Sequence, residues 1–120
     1  CLEHIECSTA PSGGTLHVTT DDGSRGTHGF VTELTDAMIA SGDYDYVAVC
    51  GPLPMMRNVV KPALEHGIAC QVSMEKLMAC GVGACLTCAV PIRSADGTIH
   101  MKKACHDGPV FPGKAVVWNE

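Results

Sequence analysis

Between residues 15 and 74 the apolar positions switch back and forth between strand-like and helical spacing. "TLHVTT" (15–20) is rich in β-branched residues and predicts a strand, and "DDGSRGTHG" after it is dense in Asp and Gly, which predicts a turn. In "FVTELTDAMIASGD" Val31, Leu34, Met38 and Ile39 recur at helical spacing, with Gly42 where a helix would stop. "YDYVAVC" (44–50) is an apolar run broken by Gly51 and Pro52, and predicts a buried strand. "PMMRNVVKPALEHG" (54–67) predicts a helix, with Pro54 at a favourable first position and Gly67 at the stop. Pro62 inside it removes a donor and predicts a kink or a split. "IACQVSM" (68–74) predicts a second buried strand. Strand, helix, strand, helix, strand is the order of an α/β fold with parallel strands and crossover helices.

After residue 74 the pattern changes. A cluster of Gly and Cys is followed by "CAVPIRS", "ADG" and "TIHMKKAC", a β-hairpin pattern with Asp96-Gly97 at its tip. There is no internal repeat. A boundary near residue 73 divides the chain into residues 1–72, an α/β segment, and residues 73–120, a smaller hairpin-containing segment.

Composition narrows the classes. A chain of 120 residues suffices for one domain, or two small ones sharing an interface. With 2 Phe, 2 Tyr and 1 Trp, the expected core is Val, Ile, Ala, Leu and Met. A net charge of −5 without a basic run argues against nucleic acid or an anionic membrane surface as partner. No segment approaches the roughly 20 apolar residues that span a bilayer, and no signal peptide is visible. The chain begins at Cys1 without an initiator Met, as a processed chain or a fragment would. Of the 8 cysteines, three (Cys80, Cys85 and Cys88) are packed at short spacing, where a disulfide framework would spread them. An α/β core needs no such staples, so the expected compartment is the reducing cytoplasm.

"MACGVGACLTCAV" (78–90) and the later "KKAC" give Cys80, Cys85, Cys88 and Cys105 the spacing C-x4-C-x2-C…C of plant-type [2Fe–2S] ferredoxins. A binuclear cluster needs four thiolates around one small diamond of iron and sulfide. One loop supplies three of them only if its backbone curls. Gly81 and Gly83 permit the positive φ values required and let N–H groups approach sulfur. Such hydrogen bonds help to set a reduction potential. The hairpin explains the long last gap, because its two strands return Cys105 beside Cys88. A structural zinc site is the main competing reading, although such sites usually show two paired knuckles and here only Cys85 and Cys88 are so paired. Disulfides, or buried structural thiols that leave the glycines unexplained, are the others.

"QVSMEKLMACGVGACLTCAV" and "KKACHDGPVF", with "TTDDGSRGTHGFVTEL" and "VAVCGPLPMM" upstream, resemble the electron-transfer subunit of NAD-linked dihydroorotate dehydrogenase over about residues 15–118. The resemblance implies a partial ferredoxin-reductase-like NAD-binding domain followed by a plant-type [2Fe–2S] module, the C-terminal part of the family protein. It implies that Cys80, Cys85, Cys88 and Cys105 ligate the cluster. It places Cys50, Gly51 and Pro52 at a strand end beside nicotinamide and flavin, where ligands of open α/β sheets gather. Asp21, Asp22, Gly23 and Ser24 match the family's loop before a helix, with Asp22 and Gly23 as candidate cofactor contacts. Related flavoprotein subunits resemble "DGTGMCGGC", with an aspartate as first ligand, and "DGPEF". This chain has Cys80 and "DGPVF" (107–111), which favours the dihydroorotate branch.

Three departures stand out. Leu77 occupies a position where the family often has arginine, Pro62 is unusual in its helix, and nothing matches the flavin barrel. No G-x-G-x-x-G loop precedes the first strand, and "SGG" (12–14) is too short and wrongly placed to replace one.

The function implied is electron transfer through the cluster, from the FMN of a catalytic dihydroorotate dehydrogenase subunit to FAD and NAD, in pyrimidine biosynthesis. The alternatives are a module of another flavin-dependent NAD(P)H, ferredoxin or sulfur oxidoreductase, and a zinc-stabilised binding module. No acid–base catalytic residue is expected. His100 and His106 have no visible partner and read as surface or packing residues, and Met55, Met56, Met74 and Met78 as core filler. A partial sheet would expose an apolar edge, which predicts a homodimer or aggregation.

Overall fold

The computed structural model describes residues 2–118, a mixed α/β chain in two units, Cys1–Leu34 and Thr35–Glu120. Cys1, at which the chain begins, lies outside the described residues.

The first unit opens with helix α1 (Leu2–Thr9), which hydrophobic spacing did not announce. Its later hydroxyls turn back on the helix, Ser8 Oγ to the His4 carbonyl at 2.8 Å and Thr9 Oγ1 to that of Ile5 at 3.0 Å. The strand expected over 15–20 shrinks to β1 (Thr19–Thr20), parallel to the equally short β2 (Thr27–His28). Side-chain bonds tighten the intervening turn and compete with a longer ladder. Thr20 Oγ1 donates to the Arg25 carbonyl at 2.9 Å, and Ser24 N–H donates to Asp22 Oδ1 at 3.0 Å. Arg25 also pairs with Glu6 of α1 at 2.8 Å.

Helix α2 (Val31–Ala40) spans the position where the two units divide. Of its expected stripe Ile39 is buried, Leu34 and Met38 are half-buried and Val31 is exposed. Gly42, at φ 77°, ends it.

The second unit is built on strand β3 (Tyr46–Cys50), helix α3 (Leu53–Glu65) and strand β4 (Ala69–Ser73). β3 and β4 run parallel in register from Tyr46–Ala69 to Cys50–Ser73, as a crossover helix requires. Met56, Val59, Val60 and Ala63 follow the i, i+3, i+4, i+7 rule and are the buried face of α3. Pro62 does not split α3. It lies in the last turn, where its missing donor costs a single ladder bond.

Neither β3 nor β4 is the fully buried strand that its apolar run suggested. Val47, Val49, Cys70 and Val72 join the core with the α3 stripe, whereas Tyr46, Ala48, Cys50, Ala69 and Gln71 are exposed. One helix covers one face, and period-2 alternation sends every second residue to the other.

The core also differs in composition from the one expected. Among the described residues no leucine belongs to it; Leu53, Leu64, Leu77 and Leu86 are exposed, and Cys70, Cys88 and Phe111 are buried instead. Met56 and Met74 are core filler and Met55 packs against them, but Met78 lies exposed on the cysteine loop.

The expected hairpin is present as β5 (Ala89–Arg93) and β6 (Ile99–Lys103), antiparallel. Asp96 accepts Thr98 N–H at 3.0 Å and Gly97 takes φ 87° at the tip. A last strand, β7 (Val110–Pro112), pairs antiparallel with β4 and gives the order β3-β4-β7. Residues on both sides of position 73 therefore share one sheet. Beyond β7 the chain runs beside β5, with Arg93 N–H donating to the Ala115 carbonyl at 2.7 Å and Val117 N–H to that of Pro91 at 3.0 Å. Among the described residues no helix is long and apolar enough to cross a membrane.

Phe111 lies opposite Val72 and is 6% exposed, so β7 holds its place largely by this side chain. Phe111→Ala is expected to destabilise the second unit by about 3–5 kcal/mol, as large-to-small core changes do. Denaturant unfolding followed by far-UV circular dichroism measures it.

Candidate metal centre

The four cysteines of the ferredoxin-like spacing come from two segments. Cys80, Cys85 and Cys88 lie on the loop between β4 and β5, with Cys88 directly before β5. Cys105 lies two residues after β6. The hairpin register brings the ends together, and Ala104 N–H donates to the Cys88 carbonyl at 3.1 Å at its base. Cys88 is 2% exposed, Cys85 and Cys105 are half-buried and Cys80 is exposed.

Backbone amides govern the thiols. Cys85 N–H donates to Cys80 Sγ at 3.4 Å, and the Val82 and Ala84 N–H groups also face this sulfur. Led by the Cys85 amide, these donors pull the Cys80 thiol from an ordinary 9.0 down to about 6. The Cys105 and Ala104 amides favour the thiolate of Cys88 and lower its pKa, the Cys105 amide most. Cys105 moves up, chiefly because its thiol is hydrogen-bonded to the Cys88 sulfur and so keeps its proton, with burial and the Cys88 charge adding to this. Cys88 therefore gives up its proton first. Gly83 N–H opposes the rise at Cys105, and the charge of Cys80 is felt there too. The Cys85 thiol lies 3.4 Å from Thr87 Oγ1, a contact that the spacing gave no reason to expect.

The thiols thus stand as two neighbouring pairs, Cys80 with Cys85 and Cys88 with Cys105. Among the described residues no three His, Cys, Asp or Glu side chains converge as one metal ion would require. Two pairs of soft donors, each supplied with N–H groups, are chemically suited to zinc or to iron–sulfur ligation. The seven described cysteines are all free thiols.

Gly81 and Gly83 both have positive φ, 70° and 80°. Space beside Gly81 is open, whereas a Cβ on Gly83 would stand 3.0 Å from His106 Cβ. His106 is not the partnerless residue expected, since its Nδ1 lies 3.2 Å from Asp107 Oδ1. Asp107 itself accepts Lys103 N–H at 2.7 Å, and that bond, more than His106, holds its carboxyl below the usual range.

The remaining candidates lie elsewhere. Cys50 is exposed at the C-terminal end of β3, Gly51 follows at φ 153°, and Pro52 caps α3 with its carbonyl accepting Met56 N–H at 3.0 Å. Cys50 also lines a groove of about 220 Å³ with Ala48, Gln71, Ser73 and Val110. Asp22 and Gly23 belong to the first unit, where Asp22 is held ionised chiefly by Ser24 and Gly23 takes φ 70°.

Two outcomes are expected. Alkylation of Cys80 by iodoacetamide in the metal-free chain should rise through about pH 6, well below the ordinary 9.0 of a thiol, as read by peptide mass spectrometry. Because the folded value is depressed, this thiolate stabilises the loop fully above 9.0 and the contribution is lost as pH falls through about 6. Gly81→Ala and Gly83→Ala should each cost about 1–2 kcal/mol for a left-handed backbone. Gly83→Ala should cost more, since His106 must also move, and thermal melting compares the two.

Residues 75–117 match the family described as the iron-sulfur cluster binding domain of dihydroorotate dehydrogenase B. The chain is 42% identical over 105 residues to the electron transfer subunit of dihydroorotate dehydrogenase B (NAD(+)) of Caldanaerobacter subterraneus subsp. tengcongensis, covering 88% of this chain and 41% of the relative. It is 46% identical over 101 residues to the subunit of the same description from Desulforamulus reducens, covering 84% and 38%. A solved chain from work on flavin-based electron bifurcation by the NADH-dependent reduced ferredoxin-NADP oxidoreductase superposes with a TM-score of 0.72 at 36% identity, covering 90% of this chain and 37% of that one. The chain spans about two fifths of the length of these curated relatives. Residues 75–117 are thus similar to the iron-sulfur cluster binding domain of dihydroorotate dehydrogenase B, on a chain similar along most of its length to electron transfer subunits of that description.

Proposed function

We propose that Cys80, Cys85, Cys88 and Cys105 hold a [2Fe–2S] cluster, and that the chain carries electrons between the FMN of a catalytic dihydroorotate dehydrogenase subunit and FAD and NAD in pyrimidine biosynthesis. The observation that carries this reading is the arrangement of the four thiols in two neighbouring pairs, each receiving backbone N–H groups. When bound, such a cluster accepts and donates one electron at a time, which links two-electron flavin partners.

The chain's own residues have separate tasks. The Cys80 thiol, lowered by amides to about 6, presents a thiolate near neutral pH, the form that binds metal, and the amides at Cys88 favour its thiolate too. Gly81 and Gly83 let the loop bring those amides to sulfur. Cys88, being buried, keeps water from one side of the site, and exposed Cys80 leaves the other side open to an electron partner.

Residues 1–72 are read as part of an NAD-binding, ferredoxin-reductase-like domain and residues 73–120 as the plant-type cluster domain. The parallel β3–α3–β4 unit supports this, with Cys50, Gly51 and Pro52 at the strand end where a nicotinamide or flavin would lie. Asp22 and Gly23 are proposed as further cofactor contacts. A reducing, cytoplasmic setting suits the free thiols. Self-association through β3 is also proposed, because β3 is the outermost strand of its sheet and exposes Tyr46, Ala48 and Cys50.

The second reading is a module of another flavin-dependent NAD(P)H–ferredoxin oxidoreductase, favoured by the structural likeness at TM-score 0.72. Anaerobic reconstitution should give a coloured chain with iron and acid-labile sulfide in equal amounts, and Cys105→Ser should abolish this. A colourless chain that binds zinc alone would sink the cluster. The complete assembly, given dihydroorotate and NAD⁺, should form NADH. If the cluster loads but no NADH appears, the second reading takes its place.

A further inference from the structure

The fourth cysteine stands apart from the loop that carries the other three, so something must fix its position before metal arrives. Lys103, Ala104, Cys105, His106 and Asp107 form one turn after β6. Asp107 closes it twice. Its carboxylate Oδ2 accepts Lys103 N–H at 2.7 Å, and its own N–H donates to the Lys103 carbonyl at 2.7 Å. The His106 N–H shares that carbonyl at 3.1 Å. Both short bonds bracket Cys105.

The same side chain reaches the cysteine loop through its neighbour. His106 Nδ1 lies 3.2 Å from Asp107 Oδ1, and His106 Cβ stands where a side chain at position 83 would have to go. Asp107 thus fixes the turn of Cys105 and, through His106, its fit against Gly83. At the far end of the turn Ala104 N–H ties it to the Cys88 carbonyl at 3.1 Å.

We infer that Asp107 is a positioning residue for the metal site, whose carboxylate clamps the Lys103–Asp107 turn and so holds Cys105 in place for the cluster. The inference rests on the cluster reading above and adds to it a residue that is not a ligand. Asp107 contributes as a backbone acceptor of the right reach. Asn, which keeps an acceptor at the same distance, should therefore serve, and Glu, which keeps the charge one methylene further out, should not.

The test uses the chain with Asp107→Asn, Asp107→Glu and Asp107→Ala. Each is reconstituted anaerobically, reduced with dithionite for its electron paramagnetic resonance spectrum, and timed for iron loss to a chelator. Asp107→Asn should keep the wild-type spectrum and rate. Asp107→Glu and Asp107→Ala should shift the spectrum and lose iron about tenfold faster, the effect of one lost backbone hydrogen bond. In the metal-free chain the amides of 103–107 should exchange hydrogen faster in these two variants, while those of α3 do not change. Should Asp107→Ala fail to fold, Asp107→Glu carries the same comparison. If the wild type loads and all three variants match it, the clamp is wrong and the cluster reading stands. Glu retaining the cluster better than Asn would also overturn the clamp, since charge would then be what matters. A wild type that takes up no iron and sulfide overturns both.

Discussion

Five backbone pairings, from Ala89 opposite Lys103 to Arg93 opposite Ile99, decide where Cys105 stands. Because side chains alternate along a strand, a slip of one residue in this register would turn Val90 from the core to solvent. Val90 is 1% exposed, so the slip is costly and the register is well specified. With the register set, Cys88 enters the hairpin and Cys105 leaves it at the same end, and Ala104 N–H reaches the Cys88 carbonyl. Two thiols separated by sixteen residues become neighbours through ordinary strand pairing. The proposed metal site thus inherits its precision from a hairpin with no chemistry of its own.

The hairpin in turn is tied to the parallel β3–β4 pair through the chain that follows it. Met74 N–H donates to the Pro109 carbonyl at 3.0 Å, Phe111 lies opposite Val72, and the segment after β7 returns along β5. "DGPVF" therefore does two jobs in succession. Asp107 closes the turn that carries Cys105, and four residues later Phe111 fills the sheet core. A motif of this kind keeps the cysteine turn and the sheet at a fixed separation, because neither end can move without uncovering a buried group or breaking a short hydrogen bond.

The sequence made the site more legible than the fold around it. Spacing alone grouped Cys80, Cys85, Cys88 and Cys105 as candidate ligands, and the structure places them as two neighbouring pairs. The hairpin was legible through Asp96-Gly97 between two runs of β-forming residues. β3 and β4 were over-read as buried, since an apolar run does not say how many faces a neighbour will cover. α1 was missed because it lacks an apolar stripe and is supported by hydroxyl back-bonds and the Arg25–Glu6 pair. β7 was missed because three residues carry no period. His106 and Asp107 were passed over for a different reason: their partners are a backbone amide and a glycine with no side chain, and neither shows in a pattern of residue types.

The cysteine loop gains little from burial. Leu77, Val82 and Leu86 are 80%, 75% and 68% exposed, so its apolar residues add almost nothing to the core. Two of its glycines hold left-handed backbone, which in the unfolded chain carries the largest entropy to be lost. What orders the loop in this chain is the set of N–H groups aimed at sulfur, together with Cys88 anchored at 2% exposure. Those N–H groups interact far more strongly with thiolate than with thiol, and thiolate is the form a metal retains. Metal binding and loop order therefore reinforce each other. On that argument the hairpin and the Asp107 turn are set by the fold, and a metal held by Cys80 and Cys85 would add to the order their loop already has.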